Sequence, residues 1–291
     1  MIDLHIHTDA SSDGQHSPRE IFEMARGKGL RAIAFADHNS VDNVGEGLRL
    51  AGEFGIAFLP CLELNTYHNE LDLHLLAFYV DHLSQALKSW LDSIHRQKQE
   101  QARKRLEMLN RLGFVFTWED LHNFSHDRIP TGMSFLQAIL SREENRDDPR
   151  LRPYIKGSKA TSPYVNFYRD YLRGGKPAAV IIEEIPTTMA IRKIKELGGI
   201  PVLAHPSDTG EKNIRHLVEN GLEGLEAYSP YHNLEEQEAF RVLAEKFGLL
   251  ITAGSDFHGK RVKPDVELGR VMGNSYDLFL KLQEWRKEKC R

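Results

Sequence analysis

Histidines and acidic residues recur at the ends of apolar segments along this sequence. His5 and His7 stand two residues apart in Asp-Leu-His-Ile-His-Thr, so an extended strand places both imidazoles on one face. Leu4 and Ile6 take the opposite face. Imidazoles paired in this way at a strand end are typical metal ligands. The segment therefore predicts one wall of a metal site.

The same pattern returns in later segments. Each of them supplies an imidazole or a carboxylate, and the members are His38, Glu63, His74, His205, Asp256 and His258. Asp13, in the loop after the first strand, is expected beside them. This set is too large for one tetrahedral zinc ion with three protein ligands. Metal ions about 3.5–4 Å apart clamp the attacking and the leaving oxygen of an in-line displacement, which suits phosphate esters. The sequence predicts more than one metal ion and hydrolysis of a phosphate ester.

The elements that must position these residues alternate along the chain. Predicted strands cover residues 2–6, 31–36, 57–62, 72–79, 200–204, 221–226 and 249–253. Predicted helices cover residues 18–28, 42–54, 187–197, 212–220 and 234–247, with Ser17 as the N-cap of the first. Seven strands with intervening helices favour a TIM-like α/β barrel over an open sheet. In a parallel barrel the carboxyl ends of all strands meet at one mouth.

Residues 82–177 differ in charge from the rest of the chain. They contain 17 basic and 11 acidic residues, a net charge of +6, whereas the remaining residues contain 21 basic and 31 acidic ones, a net charge of −10. Apolar residues recur at helical spacing between residues 87 and 112, which predicts a long amphipathic helix. We predict a barrel formed by residues 1–81 and 178–291 and a cationic helical insertion formed by residues 82–177.

The composition excludes several classes of protein. Of the 291 residues, 41% are hydrophobic and 27% are charged, which excludes a disordered or fibrous chain. No apolar run approaches the roughly 20 residues that a membrane-spanning helix needs. The N-terminus has no signal-peptide pattern, and the two cysteines are Cys61 and Cys290. We expect a cytoplasmic protein without structural disulfides, membrane attachment or an obligatory protein partner, and a Cys61 that packs as a small hydrophobe.

The ordered motifs resemble the polymerase and histidinol phosphatase (PHP) domain family. The likeness covers residues 2–79 and 198–258, from Asp-Leu-His-Ile-His-Thr to Gly-Ser-Asp-Phe-His. It implies a distorted TIM-like (β/α)7 barrel with a helical insertion after the fourth strand. It also implies a trinuclear site whose three metal ions are bound by His5, His7, Glu63 and Asp256, by Glu63, His74 and His205, and by Asp13, His38 and His258. Asp9 and His16 share a loop with Asp13 and are alternatives to it.

The resemblance also implies an activity. The insertion is similar to that of stand-alone phosphoesterases that act on nucleotides and on the 5′ ends of short oligonucleotides. It implies two or three divalent ions of manganese, zinc or iron, with a hydroxide that bridges two of them attacking phosphorus. The predicted catalytic residues are Asp37, which orients ligands from behind, together with His205 and His258. The group that protonates the leaving group is not assigned.

The insertion is expected to contribute cations to substrate binding. Seven basic residues and one acidic residue lie between residues 150 and 176, interleaved with aromatic residues. Such a mixture binds phosphates and stacks bases, or it forms a helix core with a solvated charged face. Arg128, Arg173 and Lys176 are the predicted contacts to a substrate phosphate. Relatives often have an Arg-His or Thr-His pair in the insertion, whereas residues 129–135 contain neither Arg nor His.

Three other functions remain open at the level of sequence. One is a phosphatase for a small metabolite such as histidinol phosphate, and another is metal-assisted amide hydrolysis, which the lack of a metal-bridging lysine signature disfavours. The third is a non-catalytic PHP module that binds nucleic acid or supports a polymerase. The leading prediction has a phosphorylated small molecule, a nucleotide or a short oligonucleotide as its binding partner.

Overall fold

A computed structural model describes residues 1–126, 128–180 and 185–289, so Cys290 lies outside the described residues. The strands are β1 Ile2–Ile6, β2 Ala32–Phe35, β3 Ala57–Leu59, β4 Glu63–His68, β5 Leu71–Phe78, β6 Ile200–Leu203, β7 Gly224–Tyr228 and β8 Leu250–Ala253. The helices are α1 Pro18–Gly27, α2 Val44–Phe54, α3 Gln85–Arg111, α4 Trp118–Ser125, α5 Gly132–Leu140, α6 Arg152–Lys156, α7 Pro163–Phe167, α8 Thr187–Glu196, α9 Gly210–Glu219, α10 Leu234–Phe247 and α11 Tyr276–Lys289.

The strands form two hydrogen-bonded β-sheets, which we call the first and the second ladder, in a mixed α/β fold. The first ladder has the order β1-β2-β3 and is parallel throughout. The second has the order β4-β5-β6-β7-β8, with β5 antiparallel to both of its neighbours and the last two pairs parallel. Isolated bridges connect the ladders at Ile6–Phe257 and at His38–Glu63. These bridges bring the histidine-bearing ends of β1 and β2 beside the second ladder.

The prediction of an all-parallel strand order is wrong around Glu63. The predicted strand over residues 57–62 ends at Leu59, and Glu63 begins β4, which forms a hairpin with β5. Asn69 and Glu70 both have positive φ, 48° and 65°, as a tight two-residue hairpin turn requires. His74 therefore lies in the middle of an antiparallel strand and not at the carboxyl end of a parallel one.

Strand β4 was missed because its residues are too polar to form an apolar run. Its sequence, Glu-Leu-Asn-Thr-Tyr-His, alternates between a buried Leu64 and the polar Glu63 and Asn65. The extra strand also means that the insertion follows the fifth strand of the chain and not the predicted fourth. The first helix agrees with its prediction, because Ser17 forms a capping box with Glu20 and Pro18 opens α1.

Helix α3 is shared between two apolar cores. Its first turns contribute Leu87, Leu91 and Ile94 to the core that packs against the ladders. Its last turns contribute Ala102 and Leu109 to a separate core formed by the helices that follow. At 27 residues the helix is ~40 Å long, so it connects the two cores as one continuous element.

Helix α11 was not predicted, because its apolar and charged residues show little helical segregation. It packs Phe279 and Leu282 against the ends of the ladders. Trp285 Nε1 donates a hydrogen bond of 2.8 Å to Glu223 Oε2, which fixes the helix near β7. None of the helices described combines the length and apolarity needed to cross a bilayer.

Candidate metal centre

Nine side chains converge between the two ladders, and we call them the ligand cluster: His5, His7, Asp13, His38, Glu63, His74, His205, Asp256 and His258. Strand β1 positions His5 and His7, whose Nε2 atoms are 3.2 Å apart. Asp256 Oδ1 lies 3.5 Å from the first of these atoms and 3.2 Å from the second. These three buried side chains form the first group that could bind a metal ion.

Glu63 lies at the centre of the ligand cluster. Its Oε1 atom is 2.9 Å from His74 Nδ1 and 3.3 Å from His205 Nε2, and these three residues form a second potential metal-binding group. Its Oε2 atom is 3.3 Å from His7 Nε2, and Oε1 is 3.4 Å from His5 Nε2. The carboxylate therefore reaches both groups, as the predicted sharing of Glu63 requires.

A third group consists of Asp13, His38 and His258 together with His7. Asp13 Oδ2 is 4.0 Å from His38 Nε2, and Asp13 Oδ1 is 3.9 Å from His258 Nε2. The two alternatives to Asp13 lie elsewhere. Asp9 Oδ1 accepts a hydrogen bond from Asn43 Nδ2, and the His16 ring stacks on Phe257.

Buried hydrogen-bond partners orient the two histidines of β1. Glu226 Oε1 is 3.1 Å from His5 Nδ1, and Glu226 Oε2 accepts a hydrogen bond from the backbone N–H of His205. Ser11 Oγ is 3.3 Å from His7 Nδ1 and donates to Asp37 Oδ1. With both Nδ1 atoms engaged, the Nε2 atoms face the centre of the cluster.

The structure places Asp37 behind the cluster. Asp37 accepts hydrogen bonds from the backbone and the hydroxyl of Thr8 and from the hydroxyl of Ser11. Both oxygens of its carboxylate therefore accept hydrogen bonds from the loop after β1 and hold that loop in place. Sequence reasoning missed Glu226, although a charged residue within the buried strand Gly-Leu-Glu-Ala-Tyr was a usable signal.

Burial and charge compete in setting the pKa values of the ligand cluster. Burial acts to raise the pKa of the Glu63 carboxyl, but the imidazoles of His74 and His5 outweigh it and hold this pKa well below its usual range. Burial lowers the pKa of His258 far below its usual value, and the charge of His7 lowers it further. Ionised carboxylates and neutral imidazoles are the forms that bind metal ions.

Two imidazoles show the opposite shift. Burial acts to lower the pKa of His5, but the carboxylates of Glu226 and Glu63 raise it well above its usual value. The same competition, with Glu63 and Asp13 opposing burial, raises the pKa of His38 to about 9. A cation that binds at these positions must therefore displace a proton at neutral pH.

The ligand cluster contains polar atoms that fit a bound cation. Within the described part of the chain, Asp13 Oδ1, His38 Nδ1, Glu63 Oε2 and His74 Nδ1 are buried and have no hydrogen-bond partner. His38 Nδ1 and Glu63 Oε2 lie only 2.9 Å apart, but without the direction that a hydrogen bond requires. Buried polar atoms are nearly always satisfied. Divalent cations coordinated by this mixed set would satisfy them.

A cavity of about 420 Å³ opens over the ligand cluster. Its opposite wall belongs to the region 82–177 and is basic and aromatic, with the members Lys98, Arg105, Arg128, Tyr164, Tyr168, Arg169 and Arg173. Two of the three predicted substrate contacts, Arg128 and Arg173, thus face the cavity. Lys176 is exposed and lies outside its lining as far as the structure describes the chain.

The aromatic residues of the basic region divide between two roles. Tyr154 and Phe167 are buried in the separate helical core, as the helix-core alternative expected. Tyr164 and Tyr168 line the cavity, where they could contact a base. Cys61 is buried in the apolar core between the ladders, and burial raises the pKa of its thiol well above the usual value, so it packs as the small hydrophobe that was expected.

Comparison with known proteins gives matches along the whole chain. The PHP domain model matches residues 3–147, about half of the chain. A 3′,5′-nucleoside bisphosphate phosphatase from Chromobacterium violaceum is 27% identical over 283 residues, which cover 95% of this chain and 92% of that protein. A 5′-3′ exoribonuclease from Haemophilus influenzae is 28% identical over 265 residues, which cover 88% of this chain and 89% of that protein.

The fold is similar to that of a solved structure as well. An amidohydrolase from Chromobacterium violaceum superposes with a TM-score of 0.79 at 24% identity, covering 98% of this chain and 96% of that one. This likeness supports the fold, and the domain match covers six of the nine residues of the ligand cluster, from His5 to His74. The chain belongs to the PHP domain family.

Proposed function

We propose that this protein is a metal-dependent phosphoesterase that hydrolyses phosphate esters of nucleotides or short oligonucleotides. One observation carries the proposal: nine imidazole and carboxylate side chains form three overlapping groups at the base of a cavity whose opposite wall is cationic. A phosphate ester is the substrate class that needs both walls. Its negatively charged phosphoryl oxygens need the cationic wall, and its P–O ester bond is stable unless bound metal ions activate it. The two relatives described above are named for reactions at phosphate esters of nucleotides.

The proposed architecture is a distorted (β/α)7 barrel of residues 1–81 and 178–291 with residues 82–177 as an inserted helical domain. The bridges at Ile6–Phe257 and His38–Glu63 support closure, because they join the ends of the two ladders. The separate apolar core of the later helices supports the inserted domain. A cytoplasmic location and the lack of an obligatory protein partner remain predictions.

The proposed centre holds two or three divalent cations, with manganese, zinc and iron as candidates. The residues that would hold them are His5, His7, Glu63 and Asp256 for the first, Glu63, His74 and His205 for the second, and Asp13, His38 and His258 for the third. When bound, such cations lower the pKa of water and neutralise charge on a phosphoryl group.

The chain's own residues prepare the site in three ways. Glu226 and Ser11 fix the imidazoles of β1 so that Nε2 points inward, and Asp37 acts through Ser11 as a positioning residue. Arg128 and Arg173 would bind phosphoryl oxygens from the opposite wall, where guanidinium groups match the geometry of phosphate. His205 and His258 line the cavity and, as the predicted catalytic residues, would lie next to the scissile bond.

The test is a substrate panel with metal analysis on the purified full chain. The panel contains nucleoside 3′,5′-bisphosphates, mononucleotides, 5′-phosphorylated oligonucleotides of two to five residues, a cyclic phosphodiester, sugar phosphates and histidinol phosphate. We expect turnover of nucleotide members, loss of turnover after chelation and recovery when Mn²⁺ or Zn²⁺ is restored.

The alternatives give different results on the same panel. Turnover limited to histidinol phosphate or sugar phosphates would identify a metabolite phosphatase. Metal binding without turnover of any member, with nucleic-acid binding that survives His5→Ala, would identify a binding module and overturn the proposed activity.

A further inference from the structure

Asp256 has a constrained backbone. Its φ is 56°, in the left-handed region that non-glycine residues rarely adopt, and its amide donates a 2.8 Å hydrogen bond to the carbonyl of His5. The residue lies three positions after the end of β8, and its side chain is only 5% exposed. The backbone therefore fixes the position of the Asp256 α-carbon, whereas the surrounding groups set the rotation of its carboxylate.

The two oxygens of the Asp256 carboxylate have separate surroundings. Oδ1 faces three imidazoles, at 3.5 Å from His5 Nε2, 3.2 Å from His7 Nε2 and 3.3 Å from His258 Nδ1. Oδ2 faces the other way, where it accepts a 2.8 Å hydrogen bond from the Tyr231 hydroxyl and an ion pair from Lys263 Nζ. The carboxylate thus has one oxygen toward the ligand cluster and one oxygen held from behind.

Lys263 and Tyr231 come from two different loops and also contact each other. Lys263 Nζ lies 5.3 Å from the centroid of the Tyr231 ring, within the range of a cation–π interaction. The Lys263 amide donates to the carbonyl of Gly259, whose φ is +94° and whose α-carbon has no room for a side chain beside Gln15. A tight glycine turn after His258 therefore returns the chain so that Lys263 reaches Asp256.

We propose that Lys263 and Tyr231 are positioning residues that hold Asp256 Oδ2, so that Oδ1 alone is offered to the cation bound with His5 and His7. The inference rests on the proposed metal centre and adds two residues that no sequence motif indicated. Hydrogen-bonded partners of ligating carboxylates commonly set ligand orientation in metal sites. A carboxylate with one oxygen engaged in this way acts as a monodentate ligand.

The opposite hypothesis is that Lys263 is merely a positive charge close to the cation. It predicts an opposite change in cation affinity when Lys263 is replaced, because removing a nearby positive charge strengthens cation binding. Loss of positioning weakens cation binding instead. Tyr231→Phe separates the two effects further, since it removes a hydrogen bond to Oδ2 without changing any charge.

The experiment measures Mn²⁺ affinity by titration calorimetry on chelator-stripped full-length protein. The variants are Lys263→Met, Tyr231→Phe, the double variant, and Lys260→Met as the control, because Lys260 is an exposed lysine in the same turn. We expect 10–100-fold weaker binding of the tightest Mn²⁺ ion for each single variant. The double variant should lose less than the product of the two factors, since both residues hold the same oxygen. Lys260→Met should bind as the unchanged protein does.

Unchanged or tighter Mn²⁺ binding in Lys263→Met and Tyr231→Phe overturns the inference. If Lys263→Met fails to fold, as judged by its circular dichroism and thermal midpoint, Tyr231→Phe decides the question alone, because Tyr231 is 42% exposed and the substitution removes only a hydroxyl. An unchanged protein that binds Mn²⁺ but hydrolyses no ester overturns the proposed function, while the affinity ratios still decide the inference. An unchanged protein that binds none of Mn²⁺, Zn²⁺ and Fe²⁺ overturns both.

Discussion

The two walls of the cavity are built in different ways. On the ladder side, His5, His7 and Glu63 are fully buried and fixed by backbone geometry and buried partners. On the side of residues 82–177, Arg169 and Arg173 are exposed and lie in the segment that follows α7. The first wall is organised before any ligand arrives, whereas long exposed side chains lose conformational entropy when they bind a substrate. On the proposed function, we expect the first wall to carry the reaction and the second to select the substrate.

The largest expected effect comes from removing the charge that the ligand groups share. Glu63→Gln should lower metal content and kcat together by more than about 100-fold, beyond the loss typical of an outer hydrogen-bond partner. Metal analysis by mass spectrometry and steady-state kinetics measure the two quantities. The surface variant Glu219→Gln is the control. Full activity at unchanged metal content would contradict the assignment of Glu63.

A smaller effect is expected at the buried partner of His5. Glu226→Gln keeps the size of the side chain but weakens its hydrogen bond to the imidazole, so Mn²⁺ affinity should fall by about 10-fold or more. Titration of the stripped protein measures this loss, with the exposed Glu235→Gln as the matched control. Unchanged affinity would show that Mn²⁺ binding on the ladder side of the cavity does not depend on buried hydrogen-bond partners.

The opposite wall should respond in KM and leave metal content unchanged. Arg128→Ala and Arg173→Ala each remove a charged donor from the cavity, which should lower kcat/KM by ~10-fold or more while bound metal stays constant. Kinetics on a nucleoside bisphosphate, alongside metal analysis, check both halves of the prediction. A loss of metal in either variant would erase the functional distinction between the walls.

The smallest effect is expected at Lys176. Because it lies outside the lining of the cavity, Lys176→Ala should change kcat/KM by less than about 2-fold at moderate salt, where distant exposed charges are screened. The same kinetic assay tests this value against Arg173→Ala. An effect as large as that of Arg173→Ala would restore the sequence-based prediction that Lys176 contacts the substrate phosphate.

The ligand-bearing wall could be predicted from sequence because its signal is local. His5 and His7 follow the two-residue period of a strand, and every later ligand except Asp13 lies within or shortly after a short apolar segment. Strand β4 escaped prediction because one of its faces is polar where it meets the cluster. The antiparallel direction of β5 depends on pairing with β6, which a single segment does not encode.

Residues that act through contacts across the chain could not be predicted in the same way. Tyr231 lies in a loop 25 residues from Asp256 in sequence, and Lys263 lies only seven residues from it. The first contact depends on packing between segments, and the second depends on the turn at Gly259, which no motif marks. Arg128 and Lys176 are both cationic residues of the insertion, and the sequence does not distinguish them. Only Arg128 lines the cavity, because the packing of the helices of residues 82–177 decides which side chains face it. Glu226 stood out as a charge in a buried strand, but its partner lies 221 residues away.

The continuity of α3 fixes the distance between the walls. Lys98 lines the cavity from the middle of this helix, just after the turns that pack in the first core, and Arg105 lines it from the turns that pack in the second. Gln101 stands between them and donates a hydrogen bond to the carbonyl of Val180, on the segment that returns to the ladders. The helix joins the two sides of the cavity as one continuous element. On the proposed function, we expect this fixed spacing to limit how far a substrate extends from its scissile phosphate.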